Sequence, residues 1–176
     1  MKENPFVSIV IANYNYGHLL PAAIESILHQ DCDDYEIIVV DGGSSDNSVE
    51  VIMRYADHIA WWVSEPDSGQ SNAFNKGFAH SRGKFLTWLN ADDLLLPGTI
   101  KAVKHALESH PECSWATGNM VRFLHTDGKI IEAPWGPNCL PKWLQGTGRQ
   151  TIFFGPTTFW SREIYDAIGP IDESLH

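Results

Sequence analysis

Apolar runs of strand length alternate with segments of helical periodicity along most of this chain, and two of those runs end in carboxylates. Together these features predict an α/β domain: a Rossmann-like, mostly parallel sheet flanked by helices on both faces and joined by right-handed crossovers. At 176 residues with 43% hydrophobic content, the chain is expected to form one continuous domain with a substantial core.

The elements follow in order. Phe6 to Ala12 is an unbroken apolar run of strand type, and Leu20, Ala23, Ile24, Ile27 and Leu28 then recur at helical spacing, with Pro21 tolerated in the first turn. Tyr35 to Val40 is a second strand, closed by Asp41. Gly42-Gly43-Ser44-Ser45-Asp46 has turn composition and leads into a helix capped by Asp46 or Asn47, with Val49, Ile52, Met53 and Ala56 on its apolar face. Ile59 to Val63 is a third strand. Gly69 to Ser81 reads as a helix with Ala73, Phe74, Gly77 and Phe78 on one side, and Phe85 to Leu89 as the fourth strand. Pro97 opens a helix that turns Ile100, Val103 and Leu107 inward and closes before Pro111. Beyond Ser114 the pattern changes: Trp115 to Phe123 reads as one strand, Thr126-Asp127-Gly128 as a hairpin turn, and Gly146 to Gly155 as a loop and short strand that wall a pocket.

Composition excludes several classes. The net charge of −10, with no block of Lys or Arg, argues against a nucleic-acid partner. Cys32, Cys113 and Cys139 are an odd number without CxxC spacing, so neither a disulfide framework nor a zinc site is expected. No apolar run approaches membrane-spanning length and Met1 to Pro5 lacks a leader-like segment, so the expectation is a cytoplasmic location with any membrane association peripheral, at the inner face.

The chemistry concentrates at strand ends. Phe85-Leu86-Thr87-Trp88-Leu89 runs into Asn90-Ala91-Asp92-Asp93, where adjacent carboxylates have no basic neighbour in sequence and need a cation or a proton to coexist. Hard divalent ions held by one or two protein carboxylates plus substrate phosphates meet that need. Asp41 closes a second strand, and ligands of open α/β sheets collect outside the carboxyl ends of strands. Singly, each motif is open to a plainer reading as turn and cap chemistry; two acidic strand ends in one small domain favour a metal–diphosphate site. Trp135 and Trp143, in a Pro/Gly-rich stretch, are candidates for stacking on a sugar.

Taken together, these residues resemble the family-2 inverting glycosyltransferases, which have the GT-A fold. The resemblance runs from about Val7 to the end of the chain and is strongest over Val7–Asn15, Ile37–Asp46, Asp67–Gly77 and Phe85–Pro97. It implies that the loop Asn13-Tyr14-Asn15 borders the base of a nucleotide-sugar, with Ala12, Tyr14 and Asn15 among the residues that bind it, and that Asp41 hydrogen-bonds that base. Asn90-Ala91-Asp92 stands at the family's Asp-x-Asp motif, which assigns ribose or sugar contact to Asn90 and the metal, Mn²⁺ or Mg²⁺, to Asp92, with Asp93 beside it. Asn90 departs from the motif: it can bond a hydroxyl but brings no charge to the metal. Phe74 stands where many relatives carry an arginine that meets the diphosphate, and Lys76, two residues on, is the nearest substitute cation, although residues two apart on a helix do not share a face. Glu65 to Gln70 resembles a loop that skirts the nucleotide-sugar in one subgroup, with Asp67 as its contact residue.

The resemblance therefore implies a metal-dependent inverting transferase that moves sugar from a nucleotide-sugar, foremost a UDP-sugar, to a glycan or lipid-linked acceptor hydroxyl in polysaccharide or cell-envelope synthesis. Residues 1–113 are expected to form the donor half and 114–176 the start of an acceptor-side region. The motif Gly169-Pro170-Ile171-Asp172-Glu173 precedes, in the family, an acidic pair with the catalytic base, so the base is expected after His176 and no catalytic residue is assigned within the chain. The alternative is a non-catalytic module that binds nucleotide-sugar or carbohydrate. A dinucleotide oxidoreductase is disfavoured because the first βα turn, Asn13 to Gly17, lacks GxGxxG.

Overall fold

Parallel strands buried on both faces read as near-continuous apolar runs, and the first four strands do so apart from a few partnered polar positions such as Ser8 and Glu36. In the computed structural model, which describes residues 3–118, 120–124, 130–134 and 158–174, β1 (Val7–Asn13), β2 (Tyr35–Asp41), β3 (Trp61–Ser64) and β4 (Phe85–Asn90) run parallel. With β5 (Trp115–Thr117) and β8 (Thr158–Ser161) they form a six-stranded sheet of order β3-β2-β1-β4-β8-β5. β8 is antiparallel to both of its neighbours. The chain order thus reverses between β1 and β4, the switch point at which an open α/β sheet leaves a crevice.

Helices α1 (Leu20–Leu28), α2 (Ser48–Arg54) and α4 (Thr99–Ser109) belong to one side of the sheet. There Ile9, Ile11, Ile37, Val39 and Leu89 pack with Leu20, Ile24, Ile27, Ile52 and Ile100. Helix α3 (Gln70–His80) covers the other side, where Val10, Ile38, Val40 and Leu86 meet Ala73, Phe74, Phe78 and Trp160. The alternation of partners along each strand is the period of two expected of a pleated chain. Helix α5 (Arg162–Ile168) follows β8 directly and is capped by the Ser161 hydroxyl, which accepts from the Ile164 amide at 3.3 Å.

Three expectations are corrected. The run Trp115–Phe123 is two strands: β5 joins the main sheet, and after exposed Gly118 the chain enters β6 (Met120–Leu124), which pairs antiparallel with β7 (Ile130–Pro134) in a separate ribbon. A glycine has no side chain to hold a strand in its layer, and the run breaks there. The second helix ends at Arg54, with Ala56–His58 forming a 3₁₀ turn. Its buried positions are Ser48, Val51 and Ile52, so Met53 faces outward and is 64% exposed. Pro97 does not open α4; Gly98, in the left-handed region at φ 79°, precedes its first residue, Thr99. The expected turn at Thr126–Gly128, the segment Gly146–Gly155 and Trp135 and Trp143 lie outside the described residues.

Helix α3 meets β1 at Gly77, where a Cβ would stand 2.2 Å from Val10 Cγ1. Gly77→Ala is expected to destabilise the fold by about 1–3 kcal/mol through overpacking. In urea unfolding the midpoint should fall, and Val10→Ala in the same chain should recover part of the loss.

Candidate active site

The register of the central strands brings four strand ends to one level. Asn13 pairs with Asp41 across β1 and β2, Asp41 with Ser64 across β2 and β3, and Ala12 with Asn90 across β1 and β4. The loops that leave these ends enclose an open cavity of about 740 Å³, within the range of small-molecule sites. Ala12 to Tyr14 and Tyr16 contribute from β1, Gly42 and Gly43 from β2, Pro66 to Ala73 from the β3–α3 connection, and Asn90 to Asp92 from β4.

Of the residues that the sequence singles out, Ala12, Tyr14, Asp67, Asn90 and Asp92 line this cavity. Tyr14 is 61% exposed, an aromatic face open to a ligand. Asn15, Asp41, Lys76 and Asp93 do not line the cavity. Asn15 takes a left-handed conformation at φ 58°, its amide donates to Ser44 Oγ at 2.8 Å and its Oδ1 accepts from the Ser45 amide at 2.9 Å, which ties the β1 loop to the β2 turn. Lys76 pairs with Glu65 at 2.8 Å and approaches the Pro66 carbonyl, bracing the loop from outside. Phe74 is buried and stacks on Trp88 at 5.1 Å, as core.

Asp41 is fully buried, and its carboxylate accepts from Asn13 Nδ2 at 2.6 Å, the Ser44 amide at 3.0 Å, Ser44 Oγ at 2.5 Å and Ser64 Oγ at 2.6 Å. Burial acts to raise its pKa, yet the bonds from Ser44, Ser64 and Asn13 outweigh it and hold the carboxyl below the usual carboxylate range. Asp46, one of the two expected caps, accepts from the amides of Ser48 and Gly17, whereas the Asn47 side chain makes no capping bond.

At the β4 end, Asn90 Nδ2 donates to Asp93 Oδ2 at 2.8 Å and Asn90 Oδ1 accepts from Gln70 Nε2 at 2.6 Å. An aspartate at position 90 would set two carboxylates against each other at that distance. The amide of Asn90 is therefore what holds Asp93 in place, and burial together with the charge of Asp92 raises the Asp93 pKa against that bond. Asp92 is exposed at the cavity edge. Among the described residues, no group of three or more His, Cys, Asp or Glu side chains could hold a metal alone. The donor set fits a hard divalent ion bound by one carboxylate, with phosphate oxygens and water as its other ligands.

Sequence reading missed Gln70, Ser44, Ser64 and the role of Gly42. It named Glu173 only as part of a motif and missed its contacts: Glu173 accepts from Asn75 Nδ2 at 2.8 Å and Asn72 Nδ2 at 3.0 Å and so docks the chain after α5 onto α3. Only the paired glycines after Asp41 carried a signal, that of close backbone approach.

The family model for glycosyl transferase family 2 matches residues 8–168. The chain belongs to glycosyl transferase family 2. An uncharacterized glycosyltransferase of Nostoc sp. is 36% identical over 94% of this chain and 54% of its own length. A PGL/p-HBAD biosynthesis glycosyltransferase of Mycobacterium bovis is 31% identical over 66% and 47%. This family-2 chain thus spans about half the length of those two relatives. The fold is the GT-A fold of TarS of S. aureus: residues 1–349 of that protein in complex with UDP superpose with a TM-score of 0.76 at 20% identity, covering 96% of this chain and 51% of those 349 residues. Mannosyltransferase PcManGT from Pyrobaculum calidifontis, in complex with GDP-Man and Mn²⁺, gives 0.73 at 21% identity over 99% and 49%. Among the described residues of this family-2 chain, no helix is long and apolar enough to cross a membrane.

The Asp41 node gives the site an acid dependence. A carboxyl whose folded pKa is depressed adds stability above its unfolded pKa and loses it as pH falls through the folded value, here below about pH 4. Asp41→Asn is expected to lower the melting temperature at neutral pH and to flatten its fall between about pH 5 and pH 3, as read by circular dichroism.

Proposed function

We propose that this chain binds a nucleotide-sugar, foremost a UDP-sugar, in the cavity outside β1, β2 and β4 and serves its transfer, with inversion, to a hydroxyl of a glycan or lipid-linked acceptor. One observation carries the reading: the in-register strand ends set an exposed tyrosine ring, glycine backbone and the Asp92 carboxylate around a single cavity large enough for a nucleoside diphosphate. The UDP, UDP-GlcNAc and GDP-Man held by structural neighbours of TM-score 0.72 or above support the choice of ligand.

In this reading Tyr14 stacks on the base, Asn90 faces the ribose or sugar hydroxyls, and Asp92 is the protein's principal ligand to Mn²⁺ or Mg²⁺. A divalent ion bound there stabilises charge on the leaving diphosphate. No arginine stands at position 74 and Lys76 is engaged by Glu65, so Asp92 answers for the anionic end of the donor through that ion. The acceptor hydroxyl attacks in line from the open side as it gives its proton to a carboxylate base, which this reading sets in sequence following Asp172-Glu173. A lipid-linked acceptor would be met at the cytoplasmic face of the membrane by peripheral contact.

Calorimetry of UDP binding tests the proposal. Mn²⁺-dependent binding is expected, lost on chelation and weakened by about tenfold or more in Asp92→Asn at unchanged melting temperature. Equal affinity in the variant, or indifference to chelator, would overturn the assignment.

A further inference from the structure

The cavity has two ends of different chemistry. Asn90 and Asp92 mark one, and Tyr14, Gly42, Gly43 and Asp67 mark the other. If the donor binds as proposed above, the diphosphate belongs with Asp92 and the base with Tyr14. A base stacked there presents its ring edge to whichever acceptor the wall offers, and three candidates stand near.

Asp41 is enclosed, with four donors of its own chain on its two oxygens. A base could reach it only by displacing one of them and opening the bonds that join β1, β2 and β3. Asn13 Oδ1 has no partner, but it too is buried in the protein, its amide fixed by donation to Asp41. Asp67 differs from both. Like Asn13 it lines the cavity, but it is half-exposed there, and its carboxylate lies over Gly42, where a Cβ would come within 2.9 Å of Oδ2. Oδ1 accepts from the Gly69 amide at 2.9 Å, which fixes the group; no donor among the described residues meets Oδ2. Nor do the described lining residues include Lys, Arg or His to neutralise it. A fixed carboxylate oxygen at a cavity surface without a partner calls for an N–H from the ligand.

We infer that Asp67, not Asp41, is the acceptor for the ring N–H of the donor's base, and that it selects bases with an imide-type N–H. Uracil offers N3–H, and guanine offers N1–H of the same chemistry. Cytosine presents a lone pair at N3, which a carboxylate repels. Asp41 is then a positioning residue that shapes the loops around the base without touching it. Gly42 is required because any larger residue would push the Asp67 carboxylate away.

The inference rests on the donor reading, and a titration of UDP against CDP in the presence of Mn²⁺ separates the two. Wild-type protein should prefer UDP by about tenfold to a hundredfold, the span of a charge-assisted bond. Asp67→Asn keeps an oxygen for the Gly69 amide and can turn an N–H toward either base, so the preference should collapse to near parity while the melting temperature holds. Asp41→Asn should weaken UDP and CDP alike and leave their ratio unchanged. UDP binding with the same preference in Asp67→Asn as in wild type would overturn this inference alone, as would loss of the preference in Asp41→Asn. Failure of the wild type to bind UDP would overturn the donor reading and this inference with it.

Discussion

The register of β1 against its two neighbours is the constraint from which the site follows. Side chains alternate between the faces of a strand, so a slip of one residue would turn Asn13 away from Asp41 and reverse every buried position of β1. Burial on both faces forbids that slip, because the apolar contacts of Ile9 and Ile11 on one side and Val10 on the other would all be lost. Core packing thus sets the height at which three loops leave the sheet. The buried carboxylate of Asp41 then ties the ends of β1, β2 and β3 together, since its partners belong to β1, the turn after β2, and β3.

The architecture was legible in the sequence because doubly covered parallel strands read as continuous apolar runs, and each such run ended where a turn composition began. The acidic strand ends were legible for the same reason. What could not be read was the direction in which each acid faces. Asp41 and Asp67 are both aspartates at the edge of a loop, and the difference between an enclosed carboxylate and one on the cavity wall depends on Ser44, Ser64, Gly42 and Gly69. Those are contacts of tertiary structure. The reading of Trp115–Phe123 as one strand failed for a related reason, as an apolar run does not say which sheet it will join.

Position 74 shows two demands competing for one helical residue. Its side chain faces the sheet, between Phe78 and Trp88, and an aromatic ring there adds apolar contact where a cation would bring charge into the core. The described wall of the cavity is left with two acids and no cationic side chain, and an overall charge of −10 behind it. A polyanionic ligand in such a field depends on its counterion more than on any side chain of the described wall.

The place of β8 in the sheet bears on how the chain is made. β4 leaves the chain at Asn90, yet the strand that covers its outer edge begins only at Thr158. At the usual pace of synthesis, about 5–20 residues per second, that edge waits several seconds with its backbone donors and acceptors unpaired. An open apolar edge of this kind is a template for pairing with another chain. The interval between the two strands is therefore the stage of synthesis at which the β4 edge is most open to pairing with another chain.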